Sequence, residues 1–295
     1  MNIRDLQYLV AVYDEGNFSK AADRCFVSQP TLSGQLKKLE EELGEALIER
    51  STRSVLFTPL GEEVVRHARE VLSSVEQIRS SVKSFGDPMA GDFHLGLIPT
   101  IGPFLLPLIM PELARQFPKI NLFLYELRTD ELLQKLQKGQ IDAAILAKLE
   151  WVQPYNQIEL YDEPMQLALS KDDPLTEGET EISLRHLNNR QVLMLEDGHC
   201  LRDQALGVCF SAGAHEDSRF RATSMDTLLH MVAKGTGLTL IPELATLSRV
   251  QGIRYLKFAD PAPSREIVML TRKNCSRIEA LEKIGELVTS TVKDL

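Results

Sequence analysis

The sequence predicts an α/β protein in three parts: a small helical N-terminal domain, one long helix, and a larger C-terminal domain of alternating strands and helices. Three observations predict it. Leu32, Leu36, Leu39 and Leu43 recur at helical spacing behind a serine–proline helix start. Val64, Ala68, Val71, Val75, Ile78 and Val82 follow a 4-3-4-3-4 spacing, the seam of a helix that pairs with another. After a "GDPMAGD" linker, strand-like runs ("FHLGLI", "NLFLYEL", "IDAAILA") alternate with helix-like ones, which at these lengths argues a mixed sheet with helices.

The bulk numbers narrow the function classes. A chain of 295 residues with 43% hydrophobic and 25% charged content is that of an ordinary two-domain globular protein. The opening "MNIRDLQYLV" has no signal-peptide core, and the longest uncharged stretch, 95–111, is broken by Pro99, Gly102, Pro103 and Pro107. A cytoplasmic protein without a membrane segment is therefore expected. The net charge of −9 argues against general nucleic-acid stickiness, and even residues 1–90 hold 11 Lys+Arg against 14 Asp+Glu. DNA binding would have to come from local placement of charge. No C-x2-C or H-x3-H spacing and no Walker or dinucleotide fingerprint occurs, so neither a metal nor a cofactor is expected.

In order along the chain, Leu6, Leu9, Val10 and Tyr13 make the first helix amphipathic, and Asn17 offers a cap for a short second one from Phe18 to Arg24. Ser28 then caps a third helix with Pro30 in its first turn. Its leucine stripe leaves Gln29, Thr31, Ser33, Gln35, Lys37 and Lys38 on the other faces. A short helix, a tight turn and a helix so faced suit a helix-turn-helix, where amides and hydroxyls reach base edges and lysines hold phosphates. "ERSTRSVLFT" adds a polar turn with Arg50 and Arg53 before a β-like run, the form of a wing with phosphate contacts. A polar-faced three-helix bundle without a ligand fits the pattern equally well. Thr58 and Pro59 begin the long helix, which Gly86 and Pro88 end after Phe85. Its seam wants a partner helix, so a dimer is expected.

In the C-terminal part, Thr100 follows the first strand in "LIPTIGP" and Thr129 follows the second in "ELRTDELL". On the residues alone, helix capping is the better account of both. Further strands are expected at "VLMLED", "FRATS" and "LTLIPE", and helices at "MDTLLHMVAKG" and through the cysteine segment "GHCLRDQALGVC". Gly235 and Gly237 read as helix-stop and turn residues. Cys200 begins its helix, beside His199 and Arg202, where the helix dipole and nearby cations favour a thiolate. Cys209, in the run Val208–Phe210, has an apolar setting that keeps a thiol quiet. Nine helical residues span roughly 13.5 Å, whereas a disulfide needs Cα atoms about 5.5 Å apart. Either the two are unrelated thiols, or their joining requires the helix to open, as a redox switch would. Cys25, in the helix-turn-helix, and Cys275, in a C-terminal helical run, look structural or incidental.

"FSKAADRCFVSQPTLSGQLKKLEEELGEALIERSTRSVLFTPLGE" closely resembles the winged helix-turn-helix of LysR-type transcriptional regulators. "LEDGHCLRDQALGVC", "HLGLIPTIGPFLLPLIMPEL" and "FRATSMDTLLHMVA" resemble the OxyR-like, peroxide-sensing subfamily, so the likeness runs nearly end to end. The resemblance implies a winged helix-turn-helix over 1–58, a linker and dimerisation helix over 59–87, and a regulatory domain over 91–295. That domain would have the fold of periplasmic binding proteins, with subdomain I at about 91–163 and 268–295 and subdomain II at about 164–267. It implies a regulator rather than an enzyme, acting as an activator, with Ser28, Gln29, Pro30, Thr31, Ser33, Gln35, Lys37, Arg50 and Arg53 on DNA. Cys200 would be the peroxidatic thiol and Cys209 the resolving one, joined in a disulfide when oxidised. His199, Arg202, Thr100 and Thr129 would shape the pocket for hydrogen peroxide, with Arg265 in "PSREIV" a weaker candidate. Implied partners are double-stranded promoter DNA, a cellular thiol reductant, RNA polymerase, and further copies of the chain in a dimer and a homotetramer. A LysR-type regulator gated by a small metabolite and a thiol peroxidase are the alternatives.

Overall fold

The computed structural model describes all residues except 51–54, 84–86, 88, 150–154 and 177–180. It divides into two compact units, one built on Met1–Lys83 and the other on Ser84–Leu136 and Gln140–Leu295.

In the first unit each helix begins on a side-chain cap. α1 (Ile3–Glu15) starts at Asn2, whose side chain accepts from the N–H groups of Arg4 and Asp5 while Asp5 answers the Asn2 N–H at 2.7 Å. Asn17 caps α2 (Phe18–Arg24) and Ser28 caps α3 (Gln29–Leu43), with Pro30 in its first turn. Leu6, Leu9, Val12, Ala21, Ala22, Leu32, Leu36 and Leu39 form one core. The expected stripes end a turn early: Leu43 is 42% and Tyr13 37% exposed, because each sits in its helix's last turn, beyond the reach of the core. β1 (Ile48–Arg50) and β2 (Val55–Phe57) pair antiparallel as the wing. Thr58 then starts α4 (Pro59–Lys83), its Oγ1 accepting from the Gly61 N–H at 3.0 Å. The first half of α4 buries Val65 and Ala68 against α1, whereas Val71 and Ile78 stay 45% and 65% exposed. The intrachain packing that the seam could have served thus covers only its start.

The second unit runs β3 (Gly91–Leu97), α5 (Gly102–Gln116), β4 (Ile120–Glu126), α6 (Thr129–Gln137), β5 (Ala143–Ala147), β6 (Tyr155–Ser170), β7 (Glu181–Ile182), β8 (Gln191–Leu195), α7 (Cys200–Ser211), β9 (His215–Ala222), α8 (Met225–Ala233), β10 (Thr239–Pro242), β11 (Ile253–Phe258), β12 (Ser264–Arg272) and α9 (Ile278–Lys293). The main sheet has the order β4-β3-β5-β12-β6-β11-β7, with β10 also on β6 and β8–β9 as a separate parallel pair. β3 is parallel to both β4 and β5, and β5 is buried along its whole length, as expected of a strand covered on both faces. β6 is the hinge of the layout. Its residues 155–164 pair with β12, and residues 165–170 pair with β10 and β11. The half-sheets therefore meet where β6 and β12 cross. The sequence pattern hides this long strand because Glu159, Asp162, Glu163 and Pro164 interrupt its middle. One placement is corrected: Cys275 lies in the turn before α9 rather than in a helical run, buried among the surrounding apolar side chains. Among the described residues no helix is long and apolar enough to cross a membrane, and no group of three metal-ligating side chains occurs.

Candidate functional site

Cys200 is the first residue of α7, and His199 precedes it as N-cap without a side-chain bond to the helix. The thiol therefore sits at the end where backbone N–H groups are unsatisfied and the helix potential is positive. It is half-buried and lines a narrow crevice with Ile98, Pro99, Thr100, Arg128, Thr129, Gly198 and His199. The Cys200 turn is held open by Gly198, whose φ of +94° an L side chain rarely adopts.

Three lining groups retain hydrogen-bonding capacity. His199 is 5% exposed, and its Nε2 is buried without a partner. Burial and then the Arg128 charge hold its pKa below the ordinary value, against the pull of Glu196 and of a bond to the Thr223 backbone. The ring is thus neutral at pH 7, with Nε2 free. Thr129 Oγ1 is also buried and unpaired, so this residue, though first in α6, caps nothing. Thr100 precedes the α5 cap, Ile101, and its Oγ1 accepts from Arg265 Nη1 at 3.0 Å. The capping account fails for both threonines. A hydroxyl that accepts from a guanidinium keeps its own proton for another acceptor.

Arg265 is the clamp behind Thr100. It donates from Nη2 to the Thr100 carbonyl at 3.1 Å and from Nε to Glu163 at 2.8 Å. Glu163 stands opposite Arg265 in the β6–β12 register, and both side chains are buried. The crossing strands thus hold the loop that presents Thr100. Removing either charge would leave the other buried and unpaired, a loss of about 3–5 kcal/mol.

Arg202 is corrected. Its side chain is 6% exposed and points away from the crevice to Asp197 at 2.9 Å, Glu216 at 2.8 and 3.0 Å, and the Leu195 carbonyl at 3.2 Å. It fixes α7 to β8 and β9 rather than facing the thiol. Cys209 is 1% exposed, and burial pushes its thiol up to about 12. All four cysteines are free thiols. Burial also raises Cys25 and Cys275, and neither lies on the crevice.

On α3, Gln29, Pro30, Thr31 and Lys37 are exposed, and Ser33 and Gln35 are half-exposed. Ser28 and Thr31 spend their hydroxyls on each other at 2.7 Å, so the amides of Gln29 and Gln35 are the freer groups. Arg53 and the Arg50 side chain lie outside the described residues.

A family model for the "Bacterial regulatory helix-turn-helix protein, lysR family" matches residues 3–62, and one for the "LysR substrate binding domain" matches residues 86–293. The chain belongs to the LysR family. This LysR-family chain is 50% identical to a "Hydrogen peroxide-inducible genes activator" of Dickeya chrysanthemi, over 98% of the chain and 95% of that protein. It is similar to a solved full-length point variant of OxyR from Pseudomonas aeruginosa, with a TM-score of 0.75, 34% identity, and coverage of 98% and 94%. It is also similar to a hydrogen peroxide-bound mutant of OxyR from Corynebacterium glutamicum, with a TM-score of 0.68, 30% identity, and coverage of 99% and 93%.

Sequence reasoning missed Arg128 and its partner Glu196 at the crevice, Glu163 behind Arg265, and Glu216, the partner of Arg202. Arg128 adjoins Thr129 in "ELRTDELL" and Glu196 precedes "DGHC", so both lay beside quoted residues. Nothing in one dimension says which charge faces a cleft assembled from separate segments.

Proposed function

We propose that the chain is a cytoplasmic DNA-binding transcriptional regulator that senses hydrogen peroxide through a reversible Cys200–Cys209 disulfide. The observation that carries this reading is the crevice itself. A thiol at a helix N-terminus shares one narrow crevice with the unpaired Nε2 of His199 and Oγ1 of Thr129. The crevice is too narrow for a metabolite, whose pockets usually begin at about 300 Å³, and its unpaired polar groups suit a molecule of two oxygens. Relatives named for peroxide-inducible genes, and a peroxide-bound one among similar structures, support the same reading.

In the first step the Cys200 thiol passes its proton to His199 Nε2, and the sulfur attacks the nearer peroxide oxygen. The S–O bond forms, the O–O bond breaks, and the departing hydroxide takes the proton as water. Thr100 and Thr129 orient the peroxide by donating to and accepting from its oxygens. Sulfur is oxidised by two electrons to a sulfenic acid. Cys209, kept as a thiol by burial, attacks that sulfur once α7 has opened, and a second water leaves. A cellular dithiol returns the electrons. The change in the regulatory domain (91–295) passes through the linker helix (59–87) to the winged domain (1–58), which contacts double-stranded promoter DNA. Self-association to dimer and tetramer and contact with RNA polymerase complete the activator's work.

Thiol counting by mass spectrometry tests the reading. Peroxide should remove two thiols from the reduced protein and dithiothreitol should restore them. Cys200→Ser should lose none, and Cys209→Ser should stop at a trappable sulfenic acid. A Cys200→Ser protein that still forms an intramolecular disulfide at the wild-type rate, through Cys25 or Cys275, refutes the assignment. Footprinting of reduced and oxidised protein on one promoter tests the coupling to DNA.

A further inference from the structure

We propose that Arg128 is a positioning residue for the peroxide step: anchored on Glu196 and laid against Gly198, its guanidinium supplies the positive charge of the crevice and holds the His199–Cys200 turn in place. The inference rests on the peroxide reading above. Arg128 lies in the loop between β4 and α6, next to Thr129, and its backbone N–H donates to Glu131 at 3.2 Å. Its Nη2 donates to Glu196, at the end of β8 and four residues before Cys200. A Cβ on Gly198 would lie 3.3 Å from Nη1 and 3.5 Å from Cδ of Arg128. The guanidinium thus rests on a turn that glycine leaves bare. Of the residues lining the crevice, it is the one with a permanent charge.

That charge is where the chemistry needs it. Cys200 passes through a thiolate, and the O–O cleavage releases a hydroxide, so negative charge develops twice in the crevice that Arg128 lines. A fixed cation close to developing negative charge stabilises the thiolate and the departing hydroxide. Arg202, the nearer cation in sequence, is spent on Glu216 and Asp197. Arg128 also acts on His199. The charged groups acting on that ring are Arg128, from the α6 side, and Glu196, from the β8 end, with the Thr223 backbone bonded to it and Cys200 adjoining it in sequence. Arg128 repels an imidazolium and occupies the carboxylate that would attract one, so it keeps the ring unprotonated before the reaction and favours passing the thiol proton on to the departing hydroxide. The Arg128–Glu196 pair is 40% and 32% exposed, and such pairs add little to stability, so the variants should fold.

The test uses the full-length reduced protein with hydrogen peroxide as the probe. Arg128→Gln should slow sulfenic acid formation at Cys200 by about tenfold at pH 7 and move the His199 ring titration, followed by NMR, upward toward its ordinary value. The pH profile of the rate should shift with it. Arg128→Lys should restore part of the rate and most of the titration. A wild-type rate and profile in Arg128→Gln overturns the proposal. So does a lost rate with an unchanged His199 titration, since loosening alone would give that. If wild-type Cys200 ignores peroxide, the peroxide reading fails instead, and the His199 titration still reports on Arg128.

Discussion

Gly207→Ala isolates the helix-opening step. Gly207 lies in the middle of α7 with an ordinary helical φ, is exposed, and has no atom within 4 Å of where a Cβ would go. Alanine therefore fits without strain and removes the penalty of glycine in an exposed helix interior, about 1 kcal/mol. Neither helix end offsets that gain, because α7 has no side-chain cap. If Cys209 can reach Cys200 only through an opened helix, the opening equilibrium falls by a factor of about five. Disulfide formation should slow by the same factor. Sulfenic acid formation should not change, because the first turn and its crevice are untouched. Quenched-flow mass spectrometry separates the two rates, and amide exchange over 201–208 reports the opening directly. Exchange slowed about fivefold alongside a wild-type disulfide rate would refute the reasoning, since resolution would then bypass helix opening.

Val71→Glu should weaken self-association about a hundredfold, because a seam residue 45% exposed in the single chain would carry an unpaired charge into the helix pair; unchanged sedimentation would remove the seam from the interface. Arg53→Ala should lower DNA affinity across sequences and reduce the salt slope by about one unit, whereas Ser33→Ala should weaken operator binding more than non-specific binding. Arg202→Leu should destabilise the reduced form by about 3 kcal/mol at pH 7, because it leaves Glu216 largely buried without its main partner. The pH dependence follows from the same pair: the Arg202 bonds hold the Glu216 carboxyl below its ordinary value. That stabilisation is complete above the ordinary glutamate range and is lost as pH falls through the lowered value. Urea midpoints of wild type and variant should therefore converge as the pH falls below the ordinary glutamate range, and a constant gap would refute the pairing.

The local elements were legible because their causes are local. Asn17 and Ser28 cap the helices their side chains can reach, Leu32, Leu36 and Leu39 share one face, and "IDAAILA" is apolar enough to be buried on both sides. The asymmetry of the cysteines was legible for the same reason: a helix start and an apolar run are properties of a dozen neighbouring residues. The crevice was not, because its lining comes from three separated segments around Thr100, Thr129 and Cys200. Sequence proximity made Arg202 the cation for Cys200, but helical geometry turned it toward Glu216, while Arg128, seventy-two positions upstream, came in across the cleft. Thr100 and Thr129 read as caps until the fold left one hydroxyl unpaired and gave the other to Arg265. The sequence alone determined most of the local elements, β6 excepted, and which cysteine begins a helix and which lies in an apolar run, since those follow from capping, periodicity and local burial. The tertiary structure alone decided which side chains share the crevice with Cys200, because they come from segments far apart in sequence and no local pattern encodes how such segments meet.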